Sequence, residues 1–215
     1  MNIRPPLITS ALLAASLFSG AAHAALEGRD LNGSAGSFEA YYDTDLNITW
    51  LANADVNGLM TWDAATTWAA NLSFTDGIHT YADWRLPTTL QPDVTCAVQS
   101  GGESSGYGCT GSEMGHLFYI EFGGHVDDSR FHSFYGSEYW SETERVSEIG
   151  PRAWTFAFYA NSGGGYQAHY GEGGVFHALA VSNGDIAAVP EVDTWTMMLA
   201  GLGGVVLMAR RRRKA

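Results

Sequence analysis

Two apolar segments, one near each end of the chain, decide how much of it is left to fold. The first, Leu7–Phe18, follows the lone charge of Arg4 and runs into Ala22-His23-Ala24. A positive flank, an apolar stretch and small residues at the first and third places of the exit triplet form the pattern of a secretory signal. Signal peptidase is therefore an expected partner, with cleavage after Ala24. The second segment, Trp195–Ala209, is followed at once by Arg210, Arg211, Arg212, Arg213 and Lys214. It is short against the roughly 20 residues of a free-standing span, and Gly201, Gly203 and Gly204 weaken it as a core helix. A basic block after an apolar segment stays on the cytoplasmic side. The expectation is an exported chain held by its tail in the inner membrane, with residues 1–24 as signal peptide and residues 25–188 as the exported domain.

The charges divide along the same lines. Six of the 11 basic residues lie in the two ends, so residues 25–190 keep only Arg29, Arg85, Arg130, Arg145 and Arg152, with no lysine. Against these five cations stand 21 acidic side chains, a balance of −16. A nucleic-acid-binding domain needs a basic face for its phosphate contacts, and none is available. The 46% of hydrophobic and 13% of aromatic residues suffice for a packed core, so wholesale disorder is excluded.

The tail, residues 189–215, resembles a PEP-CTERM sorting signal. The resemblance rests on three parts in order: Val189-Pro190-Glu191 with Asp193-Thr194-Trp195, the apolar Met197-Met-Leu-Ala-Gly-Leu-Gly-Gly204, and the arginine block. The family's motif usually ends in a second proline, and Val192 stands there in this chain. The resemblance implies a Gram-negative surface protein delivered to exosortase, a membrane protease that cleaves near the Pro-Glu motif. The localisation that follows is the cell surface or extracellular matrix.

No charge block, proline-rich linker or repeat divides the exported span, so one domain is expected. Cys96 and Cys109 bracket a glycine-rich stretch, Gln99–Gly111. In an exported chain such a pair is expected to close a disulfide. A redox or copper-binding thiol pair is the alternative, and no nearby basic residue in sequence would lower a thiol pKa for it. Thr61–Leu72 reads as a helix with Thr61 as N-cap and Asp63 in its first turn. Trp62, Ala65, Trp68, Ala69 and Leu72 share one face. A second helix is expected at Ser112–Phe122, capped by Ser112 or Thr110 and stopped by Gly123-Gly124, with Met114, Leu117, Phe118 and Phe122 buried. The period then changes to two. Arg152–Ala160 puts Trp154, Phe156 and Phe158 on one side of a strand, Asn161–Gly165 is turn chemistry, and Tyr166–Tyr170 and Val175–Val181 read as further strands. The fold class is α+β, two helices with a twisted antiparallel sheet.

A second resemblance covers roughly residues 38–183. Asp43-Thr-Asp-Leu-Asn-Ile-Thr-Trp-Leu51, Met60-Thr-Trp-Asp-Ala-Ala65, Asp83-Trp-Arg-Leu-Pro-Thr88, Ser112-Glu-Met-Gly-His-Leu117 and Tyr139-Trp-Ser-Glu-Thr143 together resemble the Lcl C-terminal domain family. That uncharacterised module is named for a bacterial collagen-like adhesin. The Trp-Arg-Leu-Pro-Thr and Tyr-Trp-Ser pieces are also similar to C-type-lectin-like folds, including the formylglycine-generating enzyme group. The family often closes on an arginine-containing strand, whereas Phe176–Asn183 has no arginine.

The residues that could carry chemistry are few. Trp84-Arg85-Leu86-Pro87-Thr88 is the strongest local motif, read as a fold-forming corner in which Arg85 meets a carboxylate or backbone carbonyls. A binding role for Arg85 is the alternative. His125-Val-Asp-Asp-Ser-Arg-Phe-His132 offers metal-ligand types at a spacing that matches no zinc motif. Asp43, Asp45 and Asn47 open like an EF-hand loop, but Ile48 and Ala54 stand where glycine and the bidentate glutamate are required. No catalytic elbow, zinc-protease helix or phosphate loop is present. No cofactor is expected, with Ca2+ the cation that the acidic excess suggests. The chain is thus expected to be a non-catalytic binding module of the extracellular matrix or biofilm, with Tyr139, Trp140, Tyr159, Tyr166 and Tyr170 as rings that could stack on a neutral glycan. Sulfated glycans are disfavoured by the negative charge. The competing expectation is an acidic structural component of the matrix without a specific ligand.

Overall fold

A turn at Asp43 sets the first sheet. The computed structural model describes residues 26–34, 37–126, 129–159 and 164–187. The expected signal segment, residues 1–24, and the stretch expected to act as a sorting tail, with Val189, Pro190 and Glu191, lie outside the described residues. Strand β1 (Leu26–Arg29) pairs antiparallel with β2 (Ala40–Asp43), and β2 pairs with β3 (Ile48–Leu51). Between β2 and β3 the Asp43 carboxylate accepts the backbone N–H groups of Asp45 and Leu46 at 3.0 Å each, an Asx turn. Asn47 completes it with φ of 53°, a left-handed conformation that asparagine tolerates. Helix α1 (Trp62–Ala70) follows, then the short pair β4 (Phe74–Thr75) and β5 (Thr80–Tyr81) and strand β6 (Trp84–Arg85). Strands β7 (Val98–Ser100) and β8 (Glu103–Ser105) make a hairpin inside the cysteine loop.

The second helix differs from its expectation. It is a single α turn, α2 (Glu113–His116), which widens into a π turn over Leu117–Glu121. The expected buried face is present: Met114, Leu117, Phe118 and Phe122 are all buried. Both helices start at an expected N-cap residue, Thr61 and Ser112, but the side-chain cap bond is missing in each. The Ser112 hydroxyl is taken elsewhere, donating to Gln167 Oε1 at 2.6 Å and accepting from Leu90 N at 3.1 Å.

Strand β9 (Glu138–Arg145), β10 (Arg152–Ala157) and β11 (Tyr166–Gly171) form a second antiparallel sheet with β10 in the middle. The last strand, β12 (Val181–Asn183), inserts between β3 and β6, so the five-stranded sheet runs β1-β2-β3-β12-β6. The expected strand Val175–Val181 is therefore shorter and shifted. Phe176 bridges to Met60, His177 then exchanges backbone bonds with Glu138 and Trp140, and the Ala180 carbonyl accepts from Leu51 N. This segment passes from one partner to the next, which leaves no run long enough for a continuous ladder. Its Tyr139–His177 bridge joins the two sheets. The architecture is thus α+β, but with several antiparallel sheets in place of one.

Strand β10 is buried on both faces, which the period of two did not reveal. Phe156 and Phe158 join Trp50, Phe118, Phe131, Tyr139 and Val181 in the largest core cluster. Ala153, on the opposite face, packs with Trp140, Leu86 and the α1 residues Ala65 and Ala69 in a second. The fully buried Trp140 ring meets Phe176 edge to face, with centroids 4.8 Å apart. Its Nε1 donates to Met60 O at 2.8 Å, which satisfies the buried indole N–H.

Candidate functional site

The second sheet carries three of the five rings expected to meet a ligand, and buries the other two. Tyr139 and Trp140 are 0% exposed. Neighbours in a strand point to opposite faces, and strand β9 has a core cluster on each face, so both rings are enclosed. Tyr159, Tyr166 and Tyr170 keep 39%, 37% and 39% of their surface exposed. In the sheet register Ala157 lies between Glu138 and Tyr166 in one cross-strand row. Tyr159, two residues beyond Ala157, donates its hydroxyl to Glu138 Oε1 at 2.6 Å. That bond, with burial, pushes the Tyr159 phenol up to about 12. Burial and then the charge of Glu138 also raise Tyr170.

Tyr107 joins this face although its sequence position is remote. The disulfide loop is stitched to β11 by two reciprocal bonds, Gly106 N to Gln167 O at 2.9 Å and Gln167 N to Gly106 O at 2.8 Å. The rings of Tyr107 and Tyr166 then meet edge to face with centroids 4.9 Å apart. Within the loop Cys96 and Cys109 are joined in a disulfide. Asp93, beside the cysteines, is satisfied by the N–H and hydroxyl of Thr95 and the N–H of Gly111. Sequence reasoning missed Tyr107 and Glu138, since nothing local distinguishes them from other loop and strand residues.

Arg85 is fully engaged within the fold. Its Nε donates to Asn183 Oδ1, Nη1 to Leu86 O and Glu113 Oε2, and Nη2 to Glu113 Oε1 and Asn183 Oδ1. A guanidinium has five N–H donors, and all five are used. Trp84, Leu86 and Pro87 are buried around it, and Thr88 donates its backbone N–H to Glu113 Oε2 at 2.7 Å. The corner ties β6, α2 and β12 together and leaves Arg85 no donor for a ligand.

A third cluster gathers where β2 meets the π turn. Asp43 is fully buried, the Glu121 side chain is 2% exposed and that of His116 13%. His116 Nε2 lies 3.6 Å from Glu121 Oε1 and 3.9 Å from Asp43 Oδ2. Both His116 Nε2 and Glu121 Oε1 are buried without a hydrogen-bond partner. Burial first, and the charge of Asp43 second, raise the Glu121 carboxyl above its ordinary range. Among the described residues, the only other comparable grouping is Asp93 with the two disulfide cysteines. His125 and His132 do not take part; both are exposed, and Asp127 and Asp128 between them lie outside the described residues. Nor does Asp43 assemble a calcium loop with Asp45 and Asn47, because its Oδ1 is already occupied by the turn's N–H groups.

Among the described residues no helix is long and apolar enough to cross a membrane. Comparison of the chain with models of known protein families, with curated proteins and with solved structures finds no match.

Proposed function

We propose that this chain is an exported, surface-sorted binding module of the extracellular matrix, non-catalytic, with a C-type-lectin-like fold and a neutral glycan as its ligand class. The observation that carries the reading is the tyrosine face: Tyr107, Tyr159, Tyr166 and Tyr170 exposed around Glu138. Sugar rings present an apolar C–H face and a rim of hydroxyls. Tyrosine rings match the first and add a polar tip, while a carboxylate and phenols accept and donate to the second. Tyrosine also supplies contact area at low conformational-entropy cost. The negative charge of the exported span is compatible with neutral sugars and repels sulfated ones.

The route to the surface rests on the two ends of the sequence. Signal peptidase would release the chain after Ala24, and exosortase would act near Val189-Pro190-Glu191 while the tail sits in the inner membrane. The purified full chain on a glycan array, with and without calcium, tests the ligand. Binding to neutral glycans that disappears in a Tyr159→Ala, Tyr166→Ala, Tyr170→Ala variant is the expected result. An array without signal in either condition removes the glycan reading and leaves the acidic structural component.

A further inference from the structure

The geometry points to a binding site for a divalent transition ion of the zinc class, held by Asp43 Oδ2, His116 Nε2 and Glu121 Oε1. The ligand set converges: one atom from each residue lies within 4.8 Å of the others. Zinc bonds to imidazole nitrogen and carboxylate oxygen at about 2.0–2.2 Å, so two ligands at the tetrahedral angle stand about 3.4 Å apart. The observed 3.6 and 3.9 Å need only a small inward movement. They are too long for direct hydrogen bonds, which leaves the imidazole nitrogen and a carboxylate oxygen buried and unpartnered, at substantial cost. A cation between them satisfies both at once and neutralises two carboxylates in an apolar surrounding.

The backbone supports the same conclusion. In an α-helix residues five apart lie about 140° from one another around the axis. His116 and Glu121 are five apart, and α-helical geometry would turn them away from each other. The π turn closes with Phe122 N to Leu117 O at 3.0 Å, a register five residues wide, and brings Glu121 round toward His116. Such π turns are rare and concentrate at functional sites. Asp43 is oriented independently, by the Asp45 and Leu46 N–H groups on Oδ1 and by Trp50 Nε1 at 3.4 Å from Oδ2. Partners of this kind fix the direction of a ligating carboxylate.

The donor types select the ion. Calcium takes six to eight oxygen ligands, whereas this cluster offers two carboxylates and an imidazole nitrogen, a set that suits zinc and its neighbours. The His116 side chain keeps 13% of its surface exposed, so the cluster lies near solvent. This site is independent of the tyrosine face, and either can fail without the other.

The test is calorimetric titration of the purified, chelator-stripped full chain with Zn2+, with Ca2+ as a parallel arm. Expected is saturable uptake of one Zn2+ per chain, a melting temperature that rises with zinc, and little response to calcium. Glu121→Gln keeps the shape of the side chain and removes its charge. It should weaken zinc binding at least about tenfold and abolish the thermal shift, yet melt no lower than the parent in chelator. His116→Asn serves as the second variant if Glu121→Gln does not fold. The proposal is overturned by an absence of saturable zinc uptake, by equal zinc affinity in the folded variant, or by a response to calcium in place of zinc.

Discussion

Arg85 holds Glu113 with both terminal nitrogens, at 2.8 and 2.7 Å, and the backbone N–H of Glu113 returns a bond to Thr88 O at 3.2 Å. One carboxylate thereby links a strand end, the segment that follows it and the first turn of α2. The side chains are 20% and 14% exposed, so the pair is shielded from water without being sealed from it.

Replacing Arg85 with Met removes five donated bonds and strands the Glu113 carboxylate. A fully buried pair broken on one side costs about 3–5 kcal/mol; partial exposure brings the expected loss to about 2–3 kcal/mol. Urea denaturation measures it. A loss below about 0.5 kcal/mol, the level of an ordinary surface change, would contradict the structural role assigned to Arg85.

Gly115 is irreplaceable for a steric reason. A Cβ there would stand 1.7 Å from the Cys109 carbonyl oxygen, a backbone atom that cannot rotate away. Gly115→Ala should therefore cost about 3 kcal/mol or more through forced backbone displacement. A thermal melt within about 2 °C of the parent would show that helix and loop do not meet this closely.

The disulfide fixes the loop that carries Tyr107. Cys96→Ser with Cys109→Ser should lower stability by about 3 kcal/mol in the chain-entropy account of a loop this size. It should also loosen the Tyr107–Tyr166 contact, which near-UV circular dichroism would register. Unchanged stability on reduction would place the constraint elsewhere, in the hydrogen bonds between the loop and β11.

Glu138 controls the titration of Tyr159. The bond favours the neutral phenol, so the folded pKa of about 12 exceeds the unfolded value near 10. Its contribution to stability is complete below pH 10 and lost as pH rises through about 12. Glu138→Gln should move this titration back toward 10. Superimposable tyrosinate absorbance curves for parent and variant would refute the assignment.

Much of the local structure was legible. The face of α1 is written in the spacing of Ala65 and Ala69, both buried as read, and Cys96 and Cys109 are joined in the disulfide expected of them. The cap positions were legible at Thr61 and Ser112, but the Ser112 hydroxyl bonds to Gln167, a residue brought close only by folding. Tyr139 and Trp140 were misjudged because an alternating strand announces two faces without saying whether water or core lies beyond each. The rings that remain exposed, Tyr166 and Tyr170 in β11 and Tyr159 just beyond β10, carry no local mark that separates them from the buried Tyr139.

By itself the sequence determined the acidity of the chain, the helix and strand periods of its described elements, and the cross-link of its cysteines. These are properties of composition and near neighbours, and they survive any arrangement of the elements. The tertiary structure alone decided which aromatic rings face solvent and that Asp43 meets His116 and Glu121. That meeting depends on a hairpin turn docking against a helix that changes its own pitch. That helix sets Gly115 against the Cys109 carbonyl and its phenylalanines against the core, contacts that no local pattern of residues records.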